Sequence, residues 1–354
     1  MSIHVKVLPA TYGDSIIVTL VNDLKEKRNI LIDGGVGWSS YKSLKNEIEL
    51  ICGRGEEIDL LVVTHIDEDH ISGIIELFED SDINKQIFKE IWFNTGQNVA
   101  ELFGEVWDES RGYPIADTRK IEKSITDGVI FESLIENLEM WKNDLWYFQK
   151  DAIIERFGAE IKILSPSKLG LEKLHKEWTY EKNSNVKMSR PCSTDYHLPL
   201  SELIKKKYSK DRSIPNLSSI SLLIKFQEDN VLLLGDSHAE TIVESLTVLG
   251  YTTQDKLQVA LTKVSHHGSK RNTSDDLLSL IDCKNFVIST DGSSHCLPNK
   301  ETIARIISSQ PDCNIIFNYR IPGIFLDDDL KSFNFTYEYL EDKQYTFVIG
   351  EDEV

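Results

Sequence analysis

One short segment constrains this chain more than any other. Leu60-Leu61-Val62-Val63 reads as a strand buried on both faces, and Thr64-His65-Ile66-Asp67-Glu68-Asp69-His70 follows it at once. A helix is expected next, over Gly73 to Phe78. His65, Asp67, Asp69 and His70 therefore sit where a buried strand turns into a helix. Imidazoles and carboxylates forced into so small a volume are costly without a compensating cation. A divalent metal removes that cost and takes those ligand types. A polar loop with chance His and Asp is the bland alternative, and the rest of the chain argues against it.

Three other strand ends carry matching residues. Leu232-Leu233-Leu234-Gly235-Asp236-Ser237-His238 delivers a carboxylate just past a glycine. Lys263-Val264-Ser265-His266-His267-Gly268-Ser269 ends a strand in paired histidines. Ser293-Ser294-His295-Cys296-Leu297-Pro298 follows the strand Phe286 to Thr290. In layered α/β proteins, ligands gather at the carboxyl ends of strands. Strands and helices are interleaved in both halves of the chain, which indicates an α/β layered architecture.

The first third reads as strands Ile3–Leu8, Ser15–Val21 and Asn29–Asp33, a helix Ser39–Ile51, and a strand Lys89–Phe93. Residues 95–159, which carry Trp107, Trp141, Trp146 and Tyr147, read as a largely helical insertion with helical periodicity over Gly128–Trp146; Trp141, Trp146 and Tyr147 read as core packing of a helical cap, with stacking on a substrate base as the alternative. Residues 169–215 are rich in Lys, Ser, Asn and Pro and read as a variable loop. Regular pattern returns with a hairpin over Ile220–Phe226 and Val231–Leu234 and a helix Ala239–Leu249. A strand Gln258–Val264, a helix Ser274–Ile281 and a helix Asn299–Ser308 come next. Strands near Asn314–Asn318, Ser332–Tyr339 and Gln344–Ile349 form the tail. The expectation is one domain over 1–354.

Composition sets outer bounds. The 354 residues include 39 Lys+Arg and 58 Asp+Glu, a formal net charge of −19. That argues against a protein that coats nucleic acid or anionic lipid through a basic face. No apolar run approaches the roughly 20 residues of a spanning helix, so a membrane protein is excluded. The N-terminus shows no basic region followed by an apolar stretch. The five cysteines, Cys52, Cys192, Cys283, Cys296 and Cys313, are odd in number and widely spaced. They read as incidental thiols of a cytoplasmic protein rather than a disulfide framework.

Together these residues resemble the metallo-β-lactamase superfamily of hydrolases. Asp33 in Leu31-Ile32-Asp33-Gly34 matches its early Asp; His65, Asp67, Asp69 and His70 match its HxHxDH motif, with Asp67 in place of the middle His. Asp236 matches the bridging Asp and His295 the last His. The resemblance is sharper to the hydrolase domain of bacterial competence DNA-uptake proteins (ComEC type) and its stand-alone soluble relatives. It rests there on Tyr12-Gly13-Asp14-Ser15-Ile16-Ile17, the HxDxDH motif, the Leu-Gly-Asp strand end and Val264-Ser265-His266-His267-Gly268-Ser269. The membrane channel of the uptake proteins has no counterpart here. The superfamily's intermediate His, before the bridging Asp, has no match either.

The resemblance implies a four-layer αββα sandwich with its site at one edge. It implies metal held by His65, Asp69, His70, Asp236 and His295, with Asp67 a further candidate. One or two ions are expected, Zn²⁺ or Mn²⁺, because Asp67 and the missing His leave one position poor in nitrogen. Asp69 is also a candidate to orient the attacking water. Asp33 and Asp14 are expected to support the ligand loop by hydrogen bonds. His266 and His267 compete for one role, ligand or donor to the leaving group, and the sequence does not separate them. Ser269, Lys270 and Arg271 are candidates to contact a phosphate, with a solvated basic turn as the alternative. The function implied is a metal-dependent phosphodiesterase or nuclease that holds nucleic acid through a local site. The alternatives are a hydrolase of a small ester-type substrate (lactone, thioester or lactam), and a weakly active regulatory component with a protein partner, as in a multi-protein defence system.

Overall fold

A computed structural model describes residues 1–105, 120–179 and 192–350. Sixteen strands are described: β1 (Ser2–Val7), β2 (Ile16–Val21), β3 (Lys27–Ile32), β4 (Ile58–Val62), β5 (Ile91–Trp92), β6 (Ile154–Arg156), β7 (Ala159–Ser165), β8 (Ser221–Phe226), β9 (Asp229–Leu233), β10 (Leu257–Val259), β11 (Leu261–Lys263), β12 (Ile281–Cys283), β13 (Asn285–Ile288), β14 (Asn314–Phe317), β15 (Thr336–Tyr339) and β16 (Thr346–Gly350). They form one sheet in the order β16-β1-β2-β3-β4-β5 and a second in the order β15-β14-β13-β11-β9-β8-β7-β6. β10 and β12 make a small separate pair.

Alternation along the strands shows how the layers stack. Ile30, Ile32, Leu60 and Val62 of the first sheet share a buried cluster with Leu222, Ile224, Val231, Leu233, Val287 and Ile316 of the second. Leu31 and Leu61 face the other way, onto Leu44, Ile48, Ile71 and Ile74 of the helices Gly37–Gly53 and Glu68–Glu79. Leu223, Leu232, Phe286, Ile288, Ile315 and Phe317 likewise face Ile242, Leu246, Leu277, Ile303 and Ile307 of the helices Ala239–Val248, Asp275–Leu280 and Lys300–Ser309. Side chains on a strand alternate with period two, so three apolar clusters require four layers. The expected αββα sandwich is the observed fold. The continuous apolar runs of β4 and β9 follow directly, since both faces of each sheet are covered.

Parallel pairing then places the functional loops. β3 runs parallel to β4, and β9, β11, β13 and β14 run parallel to their neighbours in that series. Their carboxyl ends therefore open on the same side of their sheets. Ile220 N–H donates to the Thr64 carbonyl at 2.9 Å, and Asp291 N–H to the Thr11 carbonyl at 2.8 Å, so the two sheets are pinned together at that edge.

Several expectations change. The 95–159 segment is only partly helical: a helix spans Lys120–Ile135, but Trp141 bridges to Ile91, and Trp146 stacks on Trp92 with ring centroids 4.2 Å apart. Those two aromatics pack by capping a sheet, which mimics helical spacing in the sequence. Trp107 lies outside the described residues. The 169–215 segment contains helices Lys168–Thr179, Leu200–Leu203 and Ile214–Leu217 where a loop was expected, because Leu171, Leu174, Leu200 and Leu203 find apolar cores that composition does not reveal. The strand expected over Gln258–Val264 is divided into β10 and β11, which belong to different sheets. β16 returns to pair with β1. Cys192 and Cys296 form a disulfide, against the expectation of five thiols; 104 residues separate them in sequence, which hides their 6.0 Å Cα proximity. Among the described residues no helix is long and apolar enough to cross a membrane.

Candidate metal centre

The site assembles from five strand ends. Asp33 follows β3, His65 to His70 follow β4, Asp236 follows β9, His266 and His267 follow β11, and Ser289 follows β13. Sharp turns aim these residues inward. Asp33 has φ +58°, and His266 and His267 have φ +49° and +52°, a left-handed conformation that costs about 1–3 kcal/mol per residue and is held by the surrounding contacts. Gly235 turns at φ +50°, and a Cβ there would lie 2.4 Å from Ser219 Oγ, so only glycine delivers Asp236.

Three buried histidines are oriented by a single principle. His65 Nδ1 lies 3.0 Å from Thr64 Oγ, whose hydroxyl donates to Asp33 Oδ2 at 2.7 Å. His70 Nδ1 donates to the same Asp33 Oδ2 at 2.7 Å. His267 Nδ1 donates to the Ser289 carbonyl at 2.9 Å. With each Nδ1 engaged, each Nε2 points to the common centre. The Nε2 atoms of His65, His70 and His267 and Oδ1 of Asp236 are all buried without a hydrogen-bond partner. Such orphaned atoms are rare in native proteins and call for an explanation such as an ion.

The donor set fits a divalent metal. His65, His70 and Asp236 bring one ligand atom each to within 4.8 Å of one another, as do Asp69, His70 and His267, and Asp14, Asp236 and His267. His70 Nε2 is 3.3 Å from Asp236 Oδ1, and His267 Nε2 is 3.2 Å from Asp69 Oδ2 and 3.6 Å from Asp236 Oδ2. Asp236 thus lies between His70 and His267, where a bridging carboxylate belongs. Behind each His ligand stands an oxygen acceptor, the outer support that metal sites use to fix ring orientation. Asp33 also accepts from the Thr64 N–H at 2.7 Å.

The structure revises two sequence expectations. His295 is exposed and belongs to none of the converging groups, whereas His267 belongs to two of them, because the turn after β11 enters the site and the loop after β13 contributes the Ser289 carbonyl instead. Asp67 also lies outside those groups. It occupies the N-cap position of the helix Glu68–Glu79 without a side-chain capping bond, accepts from Ser124 Oγ at 2.8 Å, and holds its second oxygen 3.7 Å from His65 Nε2. Ser269 is buried in the turn, where its hydroxyl accepts from the Arg271 N–H at 3.2 Å. His175 pairs with Glu105 at 2.9 Å.

Other residues escaped the sequence reading. Lys263 is buried at the centre's floor: its ammonium contacts Asp14 Oδ2, donates to the Gly235 carbonyl at 3.0 Å and lies 3.9 Å from Asp236 Oδ1. The available signal was a lysine within an otherwise apolar strand. Asp211, Asn216 and Asn272 hold His266: Asn216 Nδ2 and Asn272 Oδ1 lie 3.0 and 3.1 Å from its Nδ1, and both amides donate to Asp211. Nothing local marks these three in the sequence.

Charge is tightly coupled here. Burial works against ionisation of Asp14, but the Lys263 ammonium and His267 hold its carboxyl well below the usual range. Burial likewise opposes Asp236, and His267, His70 and His266 keep it ionised. Burial disfavours charge on His267, yet Asp236 and Asp14 push its pKa up to about 10.

The sequence model of the Metallo-beta-lactamase superfamily matches residues 11–139, the stretch that holds Asp14, Asp33 and the His65–His70 cluster. That match covers 129 of the 354 residues and marks this part of the chain as similar to the metallo-β-lactamase superfamily. Members of that superfamily are typically metal-dependent hydrolases. No curated protein matches the chain. Similar solved structures include a CmlA β-hydroxylase mutant (12% identity, TM-score 0.38), with 98% of this chain and 54% of that one covered. This chain thus spans about half the length of that structure. They also include Tm1679, a metal-dependent hydrolase of the β-lactamase superfamily, at 11% identity and TM-score 0.39, with 99% of this chain and 100% of that one covered. A protein of unknown function from Enterococcus faecalis matches at 12% identity and TM-score 0.30, with 96% and 77% covered. Within the superfamily's αββα frame, the strand-end cluster described above is the candidate metal centre.

Proposed function

We propose that this chain is a hydrolase of the metallo-β-lactamase type, a metal-dependent phosphodiesterase that acts on nucleic acid. The observation that carries the reading is the pair His266-His267, which the turn after β11 splits into two environments. His267 is buried and points Nε2 between Asp69 and Asp236. His266 is partly exposed, with Nε2 3.8 Å from Asp236 Oδ2 and Nδ1 held by Asn216 and Asn272. This geometry supports His267 as a ligand and His266 as a donor facing substrate. The same turn carries the competence-type resemblance.

His65, Asp69, His70, Asp236 and His267 would hold the metal, with Asp67 beside His65. A divalent ion bound there supplies Lewis acidity and ionises water near neutral pH. Asp69 orients the attacking water from its place at the start of the helix Glu68–Glu79. His266 donates a proton to the departing oxygen. Burial opposes its protonated form, but Asp236 and Asp211 raise its pKa above the ordinary histidine value. Asp33, Thr64 and the Ser289 carbonyl keep the imidazoles in register.

Purified protein assayed for bound metal and for turnover tests the reading. The panel is a phosphodiester reporter, single- and double-stranded DNA, RNA, lactones and thioesters, each with Mn²⁺ or Zn²⁺. Phosphodiester turnover that falls at least about 100-fold in Asp236→Asn and His65→Ala is expected. Ester-only turnover would replace the phosphodiesterase with the small-ester reading. Full metal occupancy without turnover would make the protein a regulatory one.

A further inference from the structure

The protein is strongly acidic, yet one region concentrates unpaired cations. Residues 205–212 read Lys-Lys-Lys-Tyr-Ser-Lys-Asp-Arg, five cations and one carboxylate. Asp211, the carboxylate, is turned inward: it accepts from Asn216 Nδ2 at 2.8 Å and Asn272 Nδ2 at 3.0 Å and lies 3.6 Å from His266 Nδ1. The lysines at 205, 206, 207 and 210 and Arg212 are exposed, and none forms an ion pair among the described residues. Arg271 joins them, exposed and also without an ion pair among those residues.

This cluster is tied to the candidate metal centre. Asp211 N–H donates to the Arg271 carbonyl at 3.1 Å, and Tyr208 Oη donates to the same carbonyl at 2.8 Å. Asn272, the next residue, donates to the Asp236 carbonyl at 3.1 Å. Lys206, Lys207, Ser209, Lys270 and Arg271 line a cleft of about 360 Å³, whose one acidic residue, Glu301, lies 3.8 Å from Lys270 Nζ. Single-stranded nucleic acid is the polyanion this arrangement suits. Its phosphates recur along a flexible backbone, so one held at the metal centre brings the next to nearby cations. A duplex would spread its charge over an acidic surface that repels it.

We infer that the cleft between residues 206–209 and 270–271 binds the phosphates that flank the scissile one in a single nucleic-acid strand. This deepens the phosphodiesterase reading and rests on it for the identity of the substrate. The cations supply attraction without base recognition, so binding is sensitive to salt and tolerant of sequence.

A fluorescent single-stranded DNA 12-mer with phosphorothioate linkages, measured by anisotropy with metal-loaded protein, tests the proposal. One variant carries Lys206→Glu, Lys207→Glu and Arg271→Glu. A charge-matched control carries Lys25→Glu, Lys42→Glu and Lys225→Glu, which lie elsewhere on the surface. Thermal unfolding and metal content check that both variants remain folded. The cleft variant is expected to bind at least about tenfold more weakly and to show a shallower salt dependence, while the control changes by less than about threefold. Equal loss in both variants, no loss in the cleft variant, or no strand binding by the wild type would overturn the proposal. Phosphatidylserine vesicles bound more tightly than the strand, through the same three residues, would overturn it in favour of a membrane surface. Turnover of a small phosphodiester reporter is read in parallel. Turnover without strand binding removes the cleft and keeps the phosphodiesterase; strand binding without turnover does the reverse.

Discussion

Lys263→Met removes a buried cation and nothing else of similar size. The ammonium is fully enclosed against Asp14 and within 3.9 Å of Asp236 Oδ1, so its loss leaves buried carboxylates facing each other. Breaking a buried charge pair on one side costs about 3–5 kcal/mol. For a chain of 354 residues, an unfolding entropy of about 2.1 cal/mol/K per residue gives roughly 0.7 kcal/mol per degree. A two-state melt of metal-free protein should then fall by about 4–7 °C. Asp14→Asn added to Lys263→Met should recover part of that loss, since both partners of the closest pair are then neutral. Excess Zn²⁺ or Mn²⁺ should narrow the gap between wild type and Lys263→Met, because a bound ion restores positive charge beside Asp236. Calorimetry of the four proteins of this cycle, with and without metal, reads all three effects. A fall of less than about 1 °C for Lys263→Met, or a double variant no more stable than the single one, would refute a charge-balancing role.

Three further outcomes follow from the same geometry. His267→Ala should lower bound metal per chain, whereas His295→Ala should leave it at the wild-type level; equal metal content in His267→Ala would refute the ligand exchange between these two histidines. Gly73→Ala should destabilise by roughly 1–3 kcal/mol and weaken metal binding, because a Cβ there would lie 2.0 Å from the Gly34 carbonyl oxygen and open the clasp in which Gly34 N–H reaches the His70 carbonyl at 2.8 Å; unchanged melting and metal content would contradict it. Metal affinity should rise as pH increases from about 6 to 9, by up to about tenfold per unit for each proton displaced. Burial opposes charge on His70 and His267, but Asp236 with Asp33, and Asp236 with Asp14, hold both above the ordinary histidine range, so metal must displace a proton from each. Chelator competition across that range checks the sign, and affinity flat with pH would refute it.

Local sequence made much of the centre legible. The runs Leu60–Val63 and Leu232–Leu234 announce strands covered on both faces, and the polar clusters at their ends stand out against that background. Asp33 was legible as a supporting residue for the same reason, since it closes Leu31-Ile32. Hydrophobic patterning acts over neighbouring residues, so strand identity and the α/β layered character are encoded locally, whereas the four-layer arrangement was implied only by the family resemblance. The match of helix 239–248 to its expected span has the same origin, with Gly250 just past its end.

What remained hidden depends on packing between distant segments. Strand order suggested His295, but the turn after β11 carries His267 into the centre and leaves His295 outside. That choice is made by left-handed backbone at His266 and His267 and by the Ser289 carbonyl, contributed from β13. Lys263 read as a strand residue until the fold set Asp14, 249 positions earlier, against its ammonium. Asp211 sits in a stretch whose composition says loop, and Asn216 just past its end; both acquire meaning only through His266. The sequence alone thus determines which residues end the buried strands, because hydrophobic periodicity is a local property. Which of those ends meet, and which charges balance there, is decided by tertiary structure, because electrostatic pairing in a buried centre depends on distances that sequence separation does not encode.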